Sequence, residues 1–211
     1  MNLVSIQARD LSEAFWKCCK AALLYGDDYQ IDKGSSEGQW RKEFDFITLQ
    51  IMHPGKRPLY PDIPDGIPAP ANIDQIEEYM DYLITSVKKP NEQYTYGEDL
   101  ESQIPIIIER YIKDGENCNQ LTMSVGDKNS INLTSPQCLR IIDTRVRYGK
   151  LHFQVYFRSW DLWAGFPVNL GGIQLLKEYM AKEIGVEDGE IIACSKGLHL
   201  YDHCWELAEA L

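Results

Sequence analysis

The sequence predicts an α/β protein of the α+β kind, with a mixed, largely antiparallel sheet flanked by helices. Three observations predict it. Residues 149–158 alternate, with Leu151, Phe153, Val155 and Phe157 on one face and His152, Gln154, Tyr156 and Arg158 on the other. Residues 44–51 alternate in the same way, Ile47, Leu49 and Ile51 against Thr48 and Gln50. Stretches of helical period, each with one apolar stripe, separate these strands. Neither half of the chain carries an independent motif set, so residues 1–211 read as one domain.

Each element follows from local chemistry. Ser12 is placed to cap a helix whose stripe is Phe15, Cys18, Cys19, Ala22 and Leu23, and Gly26 ends it. The run from Asp32 to Gly38 is a polar glycine loop. His53-Pro54-Gly55 stops the 44–51 strand, and prolines 58, 61, 64, 68 and 70 make residues 58–72 an extended segment. A helix is expected from Ile73 to Val87, with Ile76, Tyr79, Met80 and Leu83 inward. Another is expected from Leu100 to Ile112, with Pro105 in its early turns, where a missing N–H is tolerated. Residues 120–125, 138–146 and 149–158 read as strands, the last two joined at Tyr148-Gly149. A helix is expected from near Gly172, with Leu175, Leu176, Tyr179, Met180 and Ile184 inward. Ile191 to Ala193 form a short strand, and Asp202 is placed to cap a final helix.

Composition excludes several function classes. The 211 residues are 44% hydrophobic and 25% charged, as in ordinary globular proteins. A net charge of −11 argues against an extended nucleic-acid surface. No apolar run approaches a membrane span, and the N-terminus lacks a signal-peptide pattern. Six scattered cysteines suit a reduced, cytoplasmic setting. Cys194, His199, His203 and Cys204 fit no common metal spacing, so no metal is expected.

One junction concentrates the chemistry. Arg158 leaves its strand on the polar face, and Ser159, Asp161 and Asn169 follow, with Gly165 and Pro167 read as breaking the run before the next helix. An arginine, a hydroxyl, a carboxylate and a carboxamide together can bind an anion and read a polar ring edge. A buried ion pair with a helix cap would use the same residue types.

Arg158-Ser159-x-Asp161, then Gly165-Phe166-Pro167-x-Asn169, resembles the thymidylate synthase signature R-S-x-D-x-x-x-G-x-P-x-N. Pro136-Gln137-Cys138 lies upstream, where the family has its nucleophilic cysteine, and His199-Leu200-Tyr201 lies downstream, where it has H-x-Y. The match covers roughly residues 118–206, and the short, divergent N-terminal half looks like the compact archaeal branch. The resemblance implies C5-methylation of dUMP to dTMP, with a methylene-carrying folate or methanopterin-type carrier, in a homodimer without a metal. It implies that Cys138 adds to C6 of the base, with Arg158 favouring its thiolate. It gives Glu78 the task of organising proton transfers, with Glu77 the competing register, and Tyr96 a part in removing the C5 proton. It places Arg158 and Ser159 on the phosphate, Asn169 on the uracil O4 and N3 edge, His199 and Tyr201 on the 3′-hydroxyl, and Asp161 on the pterin. Lys33 stands where the family has an arginine-glycine loop.

The departures are specific. Leu139 replaces the histidine that usually follows the cysteine, and Cys118-Asn119-Gln120 carries no cation where a partner subunit normally lends two arginines. The family's tail that closes over the carrier has no counterpart after His199-Leu200-Tyr201, so the carrier pocket is expected to differ. Two other activities stay open: a pyrimidine nucleotide hydroxymethylase, and a non-catalytic nucleotide-binding protein on the same scaffold.

Overall fold

Two sheets carry the architecture. The computed structural model describes residues 1–34, 36–90 and 92–211; Ser35, in the polar 32–38 loop, and Asn91 lie outside the described residues. In chain order the elements are β1 (Leu3–Ala8), α1 (Leu11–Tyr25), β2 (Asp27–Gln30), β3 (Trp40–Glu43), β4 (Phe46–Ile51), α2 (Ile73–Ile84), α3 (Gly97–Leu100) and α4 (Gln103–Asp114). Then come β5 (Thr122–Ser124), β6 (Leu139–Arg147), β7 (Lys150–Phe157), β8 (Trp160–Asp161), α5 (Gly165–Ile184), β9 (Glu187–Ser195), β10 (Leu198–Tyr201) and α6 (Trp205–Glu209). The larger sheet has the order β1-β4-β9-β7-β6-β5, and the smaller β2-β3-β10-β8. Three pairings are parallel (β1 with β4, β7 with β9, β8 with β10) and the rest antiparallel, so the fold is the mixed, mainly antiparallel one expected.

The larger sheet buries one face. Ile47, Leu49 and Ile51 of β4, Leu151, Phe153, Val155 and Phe157 of β7, and Ile191 and Ala193 of β9 meet α1 and α5 there. Phe15 of α1 packs against Trp163 and Phe166 at the start of α5. The opposite face is open. One rung across it reads Ile141, Tyr156, Cys194 and Thr48, and the next Asp143, Gln154, Ile192 and Gln50. Ile141 and Ile192 are exposed on that face.

Several boundaries differ from expectation. The cap of α1 is Asp10 rather than Ser12: its carboxylate accepts the Glu13 N–H at 2.9 Å and pairs with Lys56 at 2.7 Å. Strand β1 was not anticipated; Val4, Ile6 and Ala8 point inward and Leu3, Ser5 and Gln7 outward. Helix α2 opens with a capping box between Asn72 and Gln75, but ends at Ile84 instead of Val87, because the Thr85 carbonyl turns to accept the Thr95 hydroxyl. Asp202 begins a 3-10 turn before α6, its carboxylate accepting the N–H groups of Trp40 and His203.

The largest correction concerns α5. It begins at Gly165, so Gly165 and Pro167 lie in its first turn, and Asn169 sits on the helix. Proline is accommodated there because the first-turn N–H groups have no intrahelical partner. Gly171 and Gly172 do not lead into the helix; they let α2 approach it. A Cβ on Gly171 would lie 2.7 Å from the Ile76 side chain, and one on Gly172 2.6 Å from the Tyr79 ring and 3.1 Å from the Met80 nitrogen. The inward face is also rotated from the expected one. Ile173, Leu176, Lys177, Met180 and Ala181 are buried, while Tyr179 is exposed. Among the described residues no helix is long and apolar enough to cross a membrane.

Candidate active site

The site forms where β6 begins, β7 ends and the smaller sheet abuts both. The Arg158 N–H donates to the Cys138 carbonyl at 2.8 Å, which sets the cysteine beside the arginine across the strand ends. The Arg158 side chain turns to the peptides before the cysteine. Its Nε–H is shared between the carbonyls of Pro136 and Gln137, each at 3.1 Å, and Nη2 also donates to Pro136. One face of the guanidinium thus grips the two peptides before Cys138. Nη1 and the second Nη2 hydrogen stay available to an anion. Ser159 follows on the chain, half-buried.

Four tyrosines wall the cysteine. Tyr79 and Tyr82 come from successive turns of α2, and Tyr94 and Tyr96 from the turn before α3, with ring centroids 5.1–6.4 Å apart. The Tyr96 oxygen accepts the N–H of Leu139, the residue after Cys138, at 3.3 Å. Tyr82 donates its hydroxyl to the Tyr94 carbonyl at 2.6 Å. Burial pushes the Tyr96, Tyr82 and Tyr79 phenols well above their usual range, so each keeps its proton at neutral pH. The Tyr79 hydroxyl is buried without a hydrogen-bond partner. Sequence reasoning singled out Tyr96 but not the other three as site residues. The signal was the i, i+3 spacing of Tyr79 and Tyr82, which places two phenols on one helix face.

Asn169 sits in the first turns of α5. Its Oδ1 accepts the indole N–H of Trp160 at 2.9 Å, a partner not anticipated from sequence. Trp160 is buried and stacks on Phe157 with centroids 4.3 Å apart. Asp161 is engaged locally: its Oδ1 accepts the N–H groups of Trp163 and Ala164 in the turn before α5. The helix cap weighed above is not formed, because Ala164 is the cap residue and no side chain bonds to that helix end. Among the described residues the second carboxylate oxygen of Asp161 has no hydrogen-bond partner. Burial raises its carboxyl, with those two N–H bonds and His203 opposing.

His199 and Tyr201 are brought to the same junction by β10, which pairs with β8 in the register His199 to Asp161. The His199 ring is buried and its Nδ1 lies 2.8 Å from the Gly197 carbonyl. Burial is the main cause that lowers its pKa to about 4, and Arg41 adds to it. The ring is therefore neutral at pH 7, and its 4.0 Å approach to Glu43 is not an ion pair. Nδ1 must donate to Gly197, which leaves Nε2 as an acceptor. Tyr201 packs edge-on to His199 and lies opposite Arg41 in the β3–β10 register. Arg41 pairs with Glu43 at 2.6 Å and lies over Tyr29, a second cation near the junction that the sequence did not reveal.

Two expected residues lie apart from Cys138. Glu78 is exposed and paired with Lys89 at the rim of a cleft of about 360 Å³. The walls of that cleft include Tyr79, Tyr82, Thr85 and Val168, so it adjoins the tyrosine cluster and the first turn of α5. Glu77 is not part of that wall. Lys33 is exposed in the β2–β3 loop. Among the described residues no group of three or more His, Cys, Asp or Glu is placed to hold a metal.

Comparison with known proteins finds relatives over the whole chain and over part of it. The chain is 28% identical over 212 residues to a protein of Methanosarcina mazei described as "Putative thymidylate synthase", covering 97% of this chain and 92% of that one. A protein of Methanococcoides burtonii with the same description is 27% identical, covering 98% and 93%. The "Thymidylate synthase" of Listeria monocytogenes is 35% identical over 117 residues, which is 54% of this chain but 37% of that protein. The full-length likeness is thus to compact archaeal relatives, and the bacterial likeness is partial. The sequence profile "Thymidylate synthase" matches residues 69–211, which hold the tyrosine cluster, Cys138, Arg158, Asn169 and His199, and this chain belongs to the thymidylate synthase family.

Proposed function

We propose that the chain is a cytoplasmic, one-domain, homodimeric enzyme that methylates dUMP at C5 to give dTMP, with a methylene-carrying folate or methanopterin-type co-substrate. The observation that carries the reading is the gripped cysteine. Arg158 fixes the carbonyls of Pro136 and Gln137 and its own N–H fixes that of Cys138, so the thiol is held on a rigid strand end between an arginine and a tyrosine wall.

C5 of uracil is a poor nucleophile. Addition of the Cys138 thiolate to C6 moves the C5=C6 electrons toward O4, and the Asn169 amide donates to that oxygen as its charge grows. C5 can then bond to the one-carbon unit; loss of the C5 proton expels the carrier's nitrogen and leaves an exocyclic methylene, which takes up a hydride, and expulsion of the Cys138 thiolate from C6 restores the ring. The carrier supplies the one-carbon unit and, for a methyl product, the hydride. The cleft between α2 and the start of α5 suits a planar ring against Tyr79 and Tyr82. Tyr96, protonated at neutral pH, orders a water or donor at C5 rather than acting as a phenolate base. Glu78, on the cleft rim, organises proton transfers once released from Lys89. Arg158 and Ser159 take the phosphate, His199 Nε2 and Tyr201 the 3′-hydroxyl, and the free oxygen of Asp161 the carrier ring. The open sheet face of Ile141, Tyr156, Ile192 and Cys194 is the surface proposed for the dimer.

The test uses a base whose C5 substituent cannot leave as a cation. 5-Fluoro-dUMP with the carrier should trap a covalent adduct on Cys138, read by peptide mass spectrometry, and Cys138→Ser should abolish turnover while still binding dUMP. An adduct on Cys194 or Cys204 overturns the assignment, and the product mass from dUMP separates methylation from hydroxymethylation.

A further inference from the structure

The Trp160–Asn169 hydrogen bond has directional content. An indole nitrogen only donates, so the amide atom facing it at 2.9 Å has to be oxygen. Trp160 is 3% exposed and its ring is packed against Phe157 and Phe166, so it cannot swing aside. The contact is close-fitting on the backbone side as well: a Cβ on Gly165 would come 3.4 Å from Oδ1 and 3.9 Å from Trp160 Cδ1. Turning the carboxamide over would set an NH2 against an N–H, two donors facing each other without an acceptor.

We infer that Trp160 locks the Asn169 carboxamide in one sense and thereby makes it specific for the uracil edge over the cytosine edge. This rests on the reading of Asn169 as the pyrimidine contact. Uracil presents an acceptor at O4 and a donor at N3. Cytosine presents the reverse, a donor at N4 and an acceptor at N3. A freely turning carboxamide satisfies either base, because it offers a donor and an acceptor side by side. Oδ1 has two lone pairs. The indole takes one, and the other, beside the Nδ2–H, forms an acceptor–donor edge that matches uracil alone. Among the described residues no group accepts from Nδ2, so that edge is free for a base. Discrimination then comes from the penalty of leaving polar groups unpaired with the wrong base, the most effective kind available to a site.

The experiment is calorimetric titration of the full chain with dUMP and with dCMP. Trp160→Phe removes the N–H and keeps an aromatic ring. β-(3-Benzothienyl)alanine at position 160 replaces the N–H by sulfur at the same size, and so covers a folding defect in the first variant. In both, the ratio of the dCMP to the dUMP dissociation constant should fall at least tenfold, about 1.4 kcal/mol. The fall should come mainly from tighter dCMP binding, a gain that structural damage does not produce. Asn169→Ala should erase the preference. If both position-160 variants keep the wild-type ratio while Asn169→Ala erases it, the lock is wrong and the role of Asn169 stands. If Asn169→Ala leaves the ratio unchanged, or the wild type binds neither nucleotide, that role fails and the lock with it. A wild type that prefers dCMP overturns the lock directly.

Discussion

At Arg158 one guanidinium serves two neighbours. Its Nε and Nη2 hydrogens hold the peptides before Cys138, and its remaining hydrogens are available to a phosphate. Arg158→Ala should therefore weaken dUMP more than deoxyuridine, by the roughly 10- to 150-fold that a charge-assisted bond of about 1.5–3 kcal/mol implies. It should also slow turnover of bound nucleotide, since the cysteine peptide loses its clamp. Arg158→Lys restores charge but not the fork, so it should recover part of the binding and little of the rate. Equal weakening of dUMP and deoxyuridine would leave Arg158 a structural residue alone. His199 carries a second prediction. Its folded pKa is lowered from 6.5 to about 4, so between those values the unfolded chain binds the proton and the folded chain does not. This contribution is complete above about pH 6.5 and is lost as pH falls toward 4, with an upper bound of roughly 3 kcal/mol. Urea unfolding of His199→Gln should show a shallower loss between pH 7 and 4. An unchanged slope would mean that His199 is not buried in its neutral form.

At the scale of elements, the contact between α2 and α5 sets the cleft. Gly172→Ala would gain about 1 kcal/mol of helix propensity. It would also press a methyl group into the Tyr79 ring at 2.6 Å and against the backbone of Met80 and Ile76. Overpacking costs about 1–3 kcal/mol, and backbone yields less than a side-chain end, so the steric effect wins. The variant should melt several degrees lower, at about 2–4 °C per kcal/mol for a chain of this size, and should lose turnover as α2 carries Tyr79 and Tyr82 away. A higher melting temperature with full activity would show that α2 shifts freely. The same helix shows how a pattern misleads. Lys177 is fully buried because it pairs with Asp188 at 3.0 Å and donates to the Gly189 carbonyl. An apolar stripe drawn through Leu175 and Tyr179 skips a charged residue that a later strand neutralises.

At the scale of the whole molecule, one face of the larger sheet has no helix over it among the described residues. The rungs Ile141–Tyr156–Cys194–Thr48 and Asp143–Gln154–Ile192–Gln50 offer a surface of apolar side chains set among polar ones, suited to self-association across a two-fold axis. Ile192→Arg would place an unpaired charge in such an interface and should shift the proposed dimer to monomer in sedimentation. It should leave the isolated fold intact, since Ile192 is exposed within the chain. A dimer unchanged by Ile192→Arg would place the interface elsewhere.

The sequence by itself determined the fold class, the strands β4, β6 and β7 and the order of the site residues, because alternation and spacing are local properties of the chain. Cys138, Arg158, Asn169, His199 and Tyr201 were legible as a set because a signature of fixed spacing survives in one sequence. Only the tertiary structure decided what each side chain is bonded to. It turned Pro167 from a break into a first-turn residue, tied one oxygen of Asp161 to the turn before α5 and closed the Arg158 guanidinium on the carbonyls of Pro136 and Gln137. It also set Trp160 against Asn169 and gathered tyrosines from α2 and the 94–96 turn around one sulfur. These are pairings between residues distant in sequence or in direction, where burial makes each unmet hydrogen bond costly. Such pairings leave no period in the chain, and packing alone selects them.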